Sequence, residues 1–135
     1  MVEPLKILHI EDDFADAMLL NHAMCDAGGY HVEIEVVRSL FDARFKLKSR
    51  TYDLIVIDLR LPDSVDPVDT VRTAETLAKG TPILVLTGSA RVDAKAIGEH
   101  IMLLDKNDYF NTRDTAAPGR LLAKVQEAAE DMLRL

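Results

Sequence analysis

Four short apolar runs, each closed by polar or acidic residues, punctuate the chain. LKILHI (Leu5–Ile10) leads into Glu11, Asp12 and Asp13, and LIVI (Leu54–Ile57) leads into Asp58. PILVL (Pro82–Leu86) leads into Thr87, Gly88 and Ser89, and IMLL (Ile101–Leu104) leads into Asp105 and Lys106. Continuous apolar runs this short suit parallel strands covered on both faces. A fifth segment differs. Val32, Ile34 and Val36 alternate with Glu33 and Glu35, the pattern of a half-exposed edge strand.

Helical signals fill the gaps. Phe14 to Ala27 carries Met18, Leu19 and Met24 among polar residues and stops at Gly28-Gly29. Ser39 to Ser49 opens with a capping-box-like Ser39 and Asp42, followed by Phe45. Asp66, Pro67 and Asp69 read as N-cap, first helical position and acidic first turn, followed by Val68, Val71, Ala74 and Ala78. Arg91 to Glu99 gives a short, weak helical signal. Leu121, Leu122, Val125, Ala128, Ala129, Met132 and Leu133 form the stripe of a last helix. Strand and helix therefore alternate five times, which predicts an α/β fold. Its doubly wound parallel sheet has helices on both faces and right-handed crossovers.

A length of 135 residues fits one domain spanning 1–135. The net charge of −7 argues against nucleic acid and anionic membranes as partners. No apolar run approaches the roughly 20 residues of a membrane span. Met1 to Lys6 lacks a signal-peptide pattern, and the single Cys25 is compatible with a reducing cytoplasm and reads as structural. His9, inside an apolar strand, reads as a core or edge histidine. The five methionines read as gap-filling core, and the Arg38, Arg44, Lys46, Lys48 and Arg50 group as solvated surface.

In an open parallel α/β sheet, ligands bind at the carboxyl ends of the strands. Here those ends carry Glu11, Asp12, Asp58, Thr87 and Lys106. Several carboxylates in one pocket repel unless a cation neutralises them, and Mg²⁺, with its preference for hard oxygen ligands, meets that need. Asp58 is suited to act as a nucleophile forming an aspartyl-phosphate. Mg²⁺, the Thr87 hydroxyl and the Lys106 ammonium would then each meet a phosphoryl oxygen. Gly88 would leave room for the phosphodonor. Singly, these residues have plainer readings: acids that cap the following helix, a strand-end hydroxyl, a solvated lysine. Their shared edge is what points to a site.

The pieces IEDD, IVIDLRLPD, VLTGSA and LLDK together resemble the receiver domain of bacterial two-component response regulators, over about Leu5 to Leu133. The resemblance implies a five-stranded sheet of order 2-1-3-4-5. It places the acidic pair on Glu11 and Asp12, with Asp12 a direct metal ligand, and the phosphoacceptor on Asp58. The metal-binding backbone carbonyl falls on Arg60, the switch hydroxyl on Thr87 and the phosphate-pairing lysine on Lys106. The implied function is a cytoplasmic, Mg²⁺-dependent phosphoacceptor in a phosphorelay, not an enzyme with an external substrate. Its donor would be a histidine kinase or histidine phosphotransfer protein. With no output domain following, the signal is expected to leave through a contact with an unidentified downstream protein, and a homodimer stays open.

The last third departs from the family pattern. Leu103 stands where an aromatic is usual, Asn107 follows the lysine in place of proline, and Asn107 to Ala117 is long. These departures favour a rival reading, a receiver-like interaction module that works without phosphate. The set of Glu11, Asp12, Asp58 and Thr87 favours the phosphoacceptor. An aspartate-nucleophile phosphohydrolase commonly needs a second acid two residues after the nucleophile, where this chain has Arg60.

Overall fold

The computed structural model describes residues 4–28, 31–88, 92–110 and 112–130. Gly29, Ser89, Arg91, Met132, Leu133 and the first three residues, all part of the sequence expectations, lie outside that set. The strands are β1 (Leu5–Ile10), β2 (Val32–Val37), β3 (Leu54–Ile57), β4 (Ile83–Thr87) and β5 (Met102–Asp105). The helices are α1 (Phe14–Ala27), α2 (Leu40–Ser49), α3 (Pro67–Ala78), α4 (Ala94–Ile97) and α5 (Ala117–Glu130), with a 3-10 turn at Lys106–Asp108. All pairings are parallel and the order is β2-β1-β3-β4-β5, as the resemblance implies.

Alternate strand residues feed two cores. Leu8, Ile10, Ile55, Ile57 and Val85 face Leu40, Ala43, Val71, Ala74 and Ala78 of α2 and α3. Ile7, Leu54, Val56, Leu84 and Leu86 face Leu20, Ala23, Met24, Leu121, Leu122 and Val125 of α1 and α5. Strands buried on both faces cannot show alternation, which is why β3 and β4 read as unbroken apolar runs. β2 lies at the sheet edge, and its Glu33 is exposed.

Local signals set the helix ends. The Ser39 hydroxyl accepts from the Asp42 N–H at 3.0 Å, and the Asp63 carboxylate accepts from Leu40 and Phe41 N–H. Asp66 Oδ1 accepts from Val68 N–H at 2.9 Å, with Pro67 in the first turn of α3. Replacing Asp66 by Ala is expected to cost about 1 kcal/mol. In a thermal melt that appears as a fall of roughly 3–4 °C, and an unchanged midpoint would show that the cap carries nothing.

Several side chains depart from expectation. α1 buries Ala17, Leu20, Ala23 and Met24, while Met18 and Leu19 point outward. The small alanines let α1 lie close to its neighbours, so its buried stripe does not follow the largest residues. Met18 is therefore not core. Cys25 is exposed, so it is not a packing residue. Phe45 is also exposed and packs edge-to-face on Phe41, with the Arg44 guanidinium 4.8 and 5.0 Å from the two ring centroids. Lys46 and Arg50 pair with Glu35, and Arg38 with Asp12, so most of that basic group is paired. Among the described residues, no helix is long and apolar enough to cross a membrane.

Candidate phosphoacceptor and metal site

The parallel register brings the strand ends together. Ile10 lies beside Ile57, so the next residues, Glu11 and Asp58, emerge side by side. Thr87 lies beside Asp105, which places Lys106 one residue past the end of β5. Backbone bonds fix these positions: Glu11 N–H donates to Val37 O at 2.8 Å and Asp58 N–H to Ile10 O at 3.0 Å. The 3-10 turn starts at Lys106, with Asp105 Oδ1 accepting from Asn107 N–H at 2.9 Å.

Glu11, Asp58, Thr87 and Lys106 are all buried. Lys106 Nζ donates to Asp58 Oδ2 at 2.6 Å, Glu11 Oε1 at 2.6 Å and Asp16 Oδ2 at 2.7 Å. Asp58 Oδ1 accepts from Thr87 Oγ1 at 2.9 Å and from Arg60 N–H at 3.1 Å. Glu11 Oε2 accepts from Asp13 N–H at 3.2 Å. Gly88 lies against the lysine stem, and a Cβ there would meet Lys106 Cδ at 3.9 Å, an ordinary contact.

The electrostatics follow from burial and count. Burial pushes the Glu11 carboxyl up to about 7, against the opposing pull of the Lys106 hydrogen bond. Burial acts the same way on Asp58. There the donors Lys106, Arg60 N–H and Thr87 outweigh it and hold the carboxyl below its ordinary value. Burial pulls Lys106 down, but the bonds to Asp16, Asp58 and Glu11 raise it above the ordinary lysine value. Three carboxylates thus surround one ammonium, leaving two negative charges uncompensated when all are ionised.

Oxygens of Glu11, Asp16 and Asp58 lie within 4.8 Å of one another. Their hard-oxygen chemistry and surplus negative charge fit a divalent cation of the Mg²⁺ kind. The Lys106 ammonium bonds one oxygen of each of the three carboxylates, so a cation held by this cluster would compete with it.

Of the expected site residues, Glu11, Asp58, Thr87 and Lys106 converge, and Arg60 meets Asp58 through its N–H. Asp12 stands apart: its carboxylate is partly exposed and pairs with Arg38 at 3.2 Å. Asp16, which the sequence does not single out, joins Glu11 and Asp58 in the cluster. A signal for it existed. Asp13 caps α1 by accepting from Asp16 N–H at 3.2 Å, which puts Asp16 in the first helical turn, directly over the strand ends. His9 is buried beside this site with no hydrogen-bond partner for either ring nitrogen among the described residues, and burial lowers its pKa to about 3.

This fold, with an acidic pocket and a buried lysine at the carboxyl ends of the strands, is that of a receiver. Residues 7–111 match the response regulator receiver domain, and the chain belongs to that family. Among curated proteins it is 36% identical over 92 residues to the cell cycle transcriptional regulator CtrA of Caulobacter vibrioides, covering 67% of this chain and 38% of CtrA. The chain thus spans well under half the length of that relative. In structure it resembles the signal receiver domain of an HD domain-containing protein from Pseudomonas fluorescens Pf-5. That match has a TM-score of 0.74 and 22% identity, covering 99% of this chain and 93% of the other. It also resembles the receiver domain of the sensor histidine kinase PA1611 from Pseudomonas aeruginosa PAO1, solved with a magnesium ion coordinated in its active site cleft. There the TM-score is 0.68 with 20% identity, covering 94% and 98% of the two chains.

Proposed function

We propose that this chain is a phosphoacceptor of a two-component phosphorelay, with Asp58 taking a phosphoryl group from a phosphohistidine. The observation that carries the reading is the convergence of Thr87, Arg60 N–H and Lys106 on the two oxygens of one buried carboxylate. Oδ1 carries a fixed backbone donor, the Arg60 N–H, and the rotatable Thr87 hydroxyl. Oδ2 is held by the lysine, whose long stem can follow a moving charge, so Oδ2 is the attacking oxygen. As it bonds to phosphorus, the phosphorus–nitrogen bond to the donor imidazole breaks and the electron pair returns to the ring. Lys106 then pairs with one phosphoryl oxygen and Thr87 donates to another. These steps are positioning and charge neutralisation, which is most of what phosphoryl transfer asks of a protein.

Glu11, Asp58 and Asp16 or Asp12, with the Arg60 carbonyl, would hold Mg²⁺. When bound, the ion offsets the charge of the carboxylates and of the incoming phosphoryl group. The magnesium ion in the active site cleft of the PA1611 receiver supports a divalent metal in this cleft. A histidine kinase or histidine phosphotransfer protein in the cytoplasm is the donor class that fits.

Incubation with acetyl phosphate and Mg²⁺ is expected to add one base-labile phosphoryl group, read by intact-protein mass spectrometry. Asp58→Asn should remove it. No adduct on the parent protein, together with no beryllofluoride binding, would leave an interaction module that works without phosphate.

A further inference from the structure

We infer that Arg120 is a positioning residue for Lys106, acting from α5 through the turn that follows β5. The inference rests on the phosphoacceptor reading above. Arg120 joins three parts of the segment between Lys106 and α5. Its Nη2 donates to Asp108 O at 3.3 Å, the last residue of the 3-10 turn that Lys106 begins. Its Nη1 bonds the Asp114 carboxylate. Its guanidinium carbon lies 6.0 Å from the Tyr109 ring centroid.

Each partner is itself anchored. Asp114 Oδ1 accepts from Ala116 N–H at 2.9 Å at the start of α5, and Thr112 Oγ1 accepts from Asp114 N–H at 3.1 Å. Tyr109 and Phe110 N–H both donate to Lys106 O, at 3.1 and 2.8 Å, and both rings pack on the α1/α5 core. The backbone of Lys106 is therefore fixed from behind by a turn whose far end Arg120 ties to α5. An exposed ion pair alone contributes little. Here the guanidinium spans a carbonyl, a carboxylate and a ring, a geometry that lysine cannot reproduce.

The consequence has two opposite signs. Lys106 competes with a cation for Glu11 and Asp16, so loosening it favours the metal. Lys106 also pairs with the phosphoryl group, so loosening it weakens the phosphorylated state. Arg120→Ala is expected to tighten Mg²⁺ binding, by calorimetry, about three- to tenfold. With Mg²⁺ saturating, it should weaken beryllofluoride binding by a similar factor, read by fluorine NMR. Arg120→Lys should fall between parent and alanine variant in both titrations, and Lys106→Met should move both further in the same directions. If Arg120→Ala shifts the two affinities in the same direction, or shifts neither, the positioning role is wrong. If Lys106→Met leaves beryllofluoride affinity unchanged, the lysine does not serve the phosphoryl group and this inference falls, whereas the phosphoacceptor reading falls only if the parent protein binds no beryllofluoride and takes no phosphoryl group.

Discussion

Replacing Lys106 by Met should make the stability of this protein depend on divalent cation. The lysine is the only cation bonded to Glu11, Asp16 and Asp58 among the described residues, and its contacts are 2.6, 2.7 and 2.6 Å. Removing one partner from a buried charge cluster costs about 3–5 kcal/mol, because the remaining charges stay buried and unpaired. Methionine keeps the apolar stem, so the loss reports the ammonium. Some of the penalty will be relieved by protonation of Glu11, whose carboxyl already titrates near 7. Mg²⁺ should restore the loss, since a cation that binds only the folded state stabilises it by mass action. With no ammonium competing, the gain should exceed that of the parent protein. The check is a pair of chemical denaturation curves for each protein, in chelator and in millimolar Mg²⁺. Equal losses for the variant in both conditions would show that lysine and metal do not share these oxygens.

The second large effect is acid sensitivity caused by His9. Its ring titrates near 3 in the folded chain against 6.5 ordinarily, burial being the main cause and the Lys106 charge the second. Above pH 6.5 the ring is neutral in both states and contributes no slope. Between 6.5 and 3 the unfolded chain binds a proton that the folded chain refuses, so stability falls as pH falls. The loss approaches about 4–5 kcal/mol by pH 3. Glu11 has the opposite sign over part of this range. Its raised carboxyl disfavours folding as pH rises from 4.5 to 7, so acidification relieves it. Asp58, Glu35 and Glu75, all held below their ordinary values, add losses at the acid end as they protonate. Comparing His9→Leu with the parent cancels these shared contributions. The variant should show a flatter stability profile between pH 6.5 and 3. It should also be no less stable at pH 7, because two unpartnered buried nitrogens are gone. Parallel profiles for the two proteins would mean that His9 is protonated, or bonded to water, in the folded state.

Much of this architecture is legible in the primary structure because burial on both faces of the sheet leaves its mark as unbroken apolar runs. LKILHI and LIVI coincide with β1 and β3, and the polar residue after each run lands at the shared edge. Lys106 could be placed for the same reason: parallel register carries the end of IMLL to the level of Thr87. Side-chain direction was harder to read. Glu11, Asp12 and Asp13 are consecutive carboxylates, and the backbone turn after β1 decides which faces inward. Glu11 turns in, Asp12 meets Arg38 and Asp13 caps α1. None of this is periodic. Asp16 was hidden because an acid in a first helical turn is ordinarily explained by the helix dipole. The buried face of α1 is hard to read because two of its four buried residues are alanines.

The arrangement at β2 bears on how this protein behaves in a crowded solution. An edge strand offers a row of open backbone donors and acceptors to any neighbouring chain. Here that strand alternates carboxylates with aliphatics, and one carboxylate, Glu35, is tied down by Tyr52, Arg50 and Lys46. A second copy pairing antiparallel about the exposed Glu33 would set that carboxylate opposite its own counterpart, and like charges directly opposite one another repel. Sheet extension across β2 is therefore discouraged at the level of single side chains. That leaves the opposite edge, β5, and the helices that flank the sheet as the surfaces through which two copies could meet.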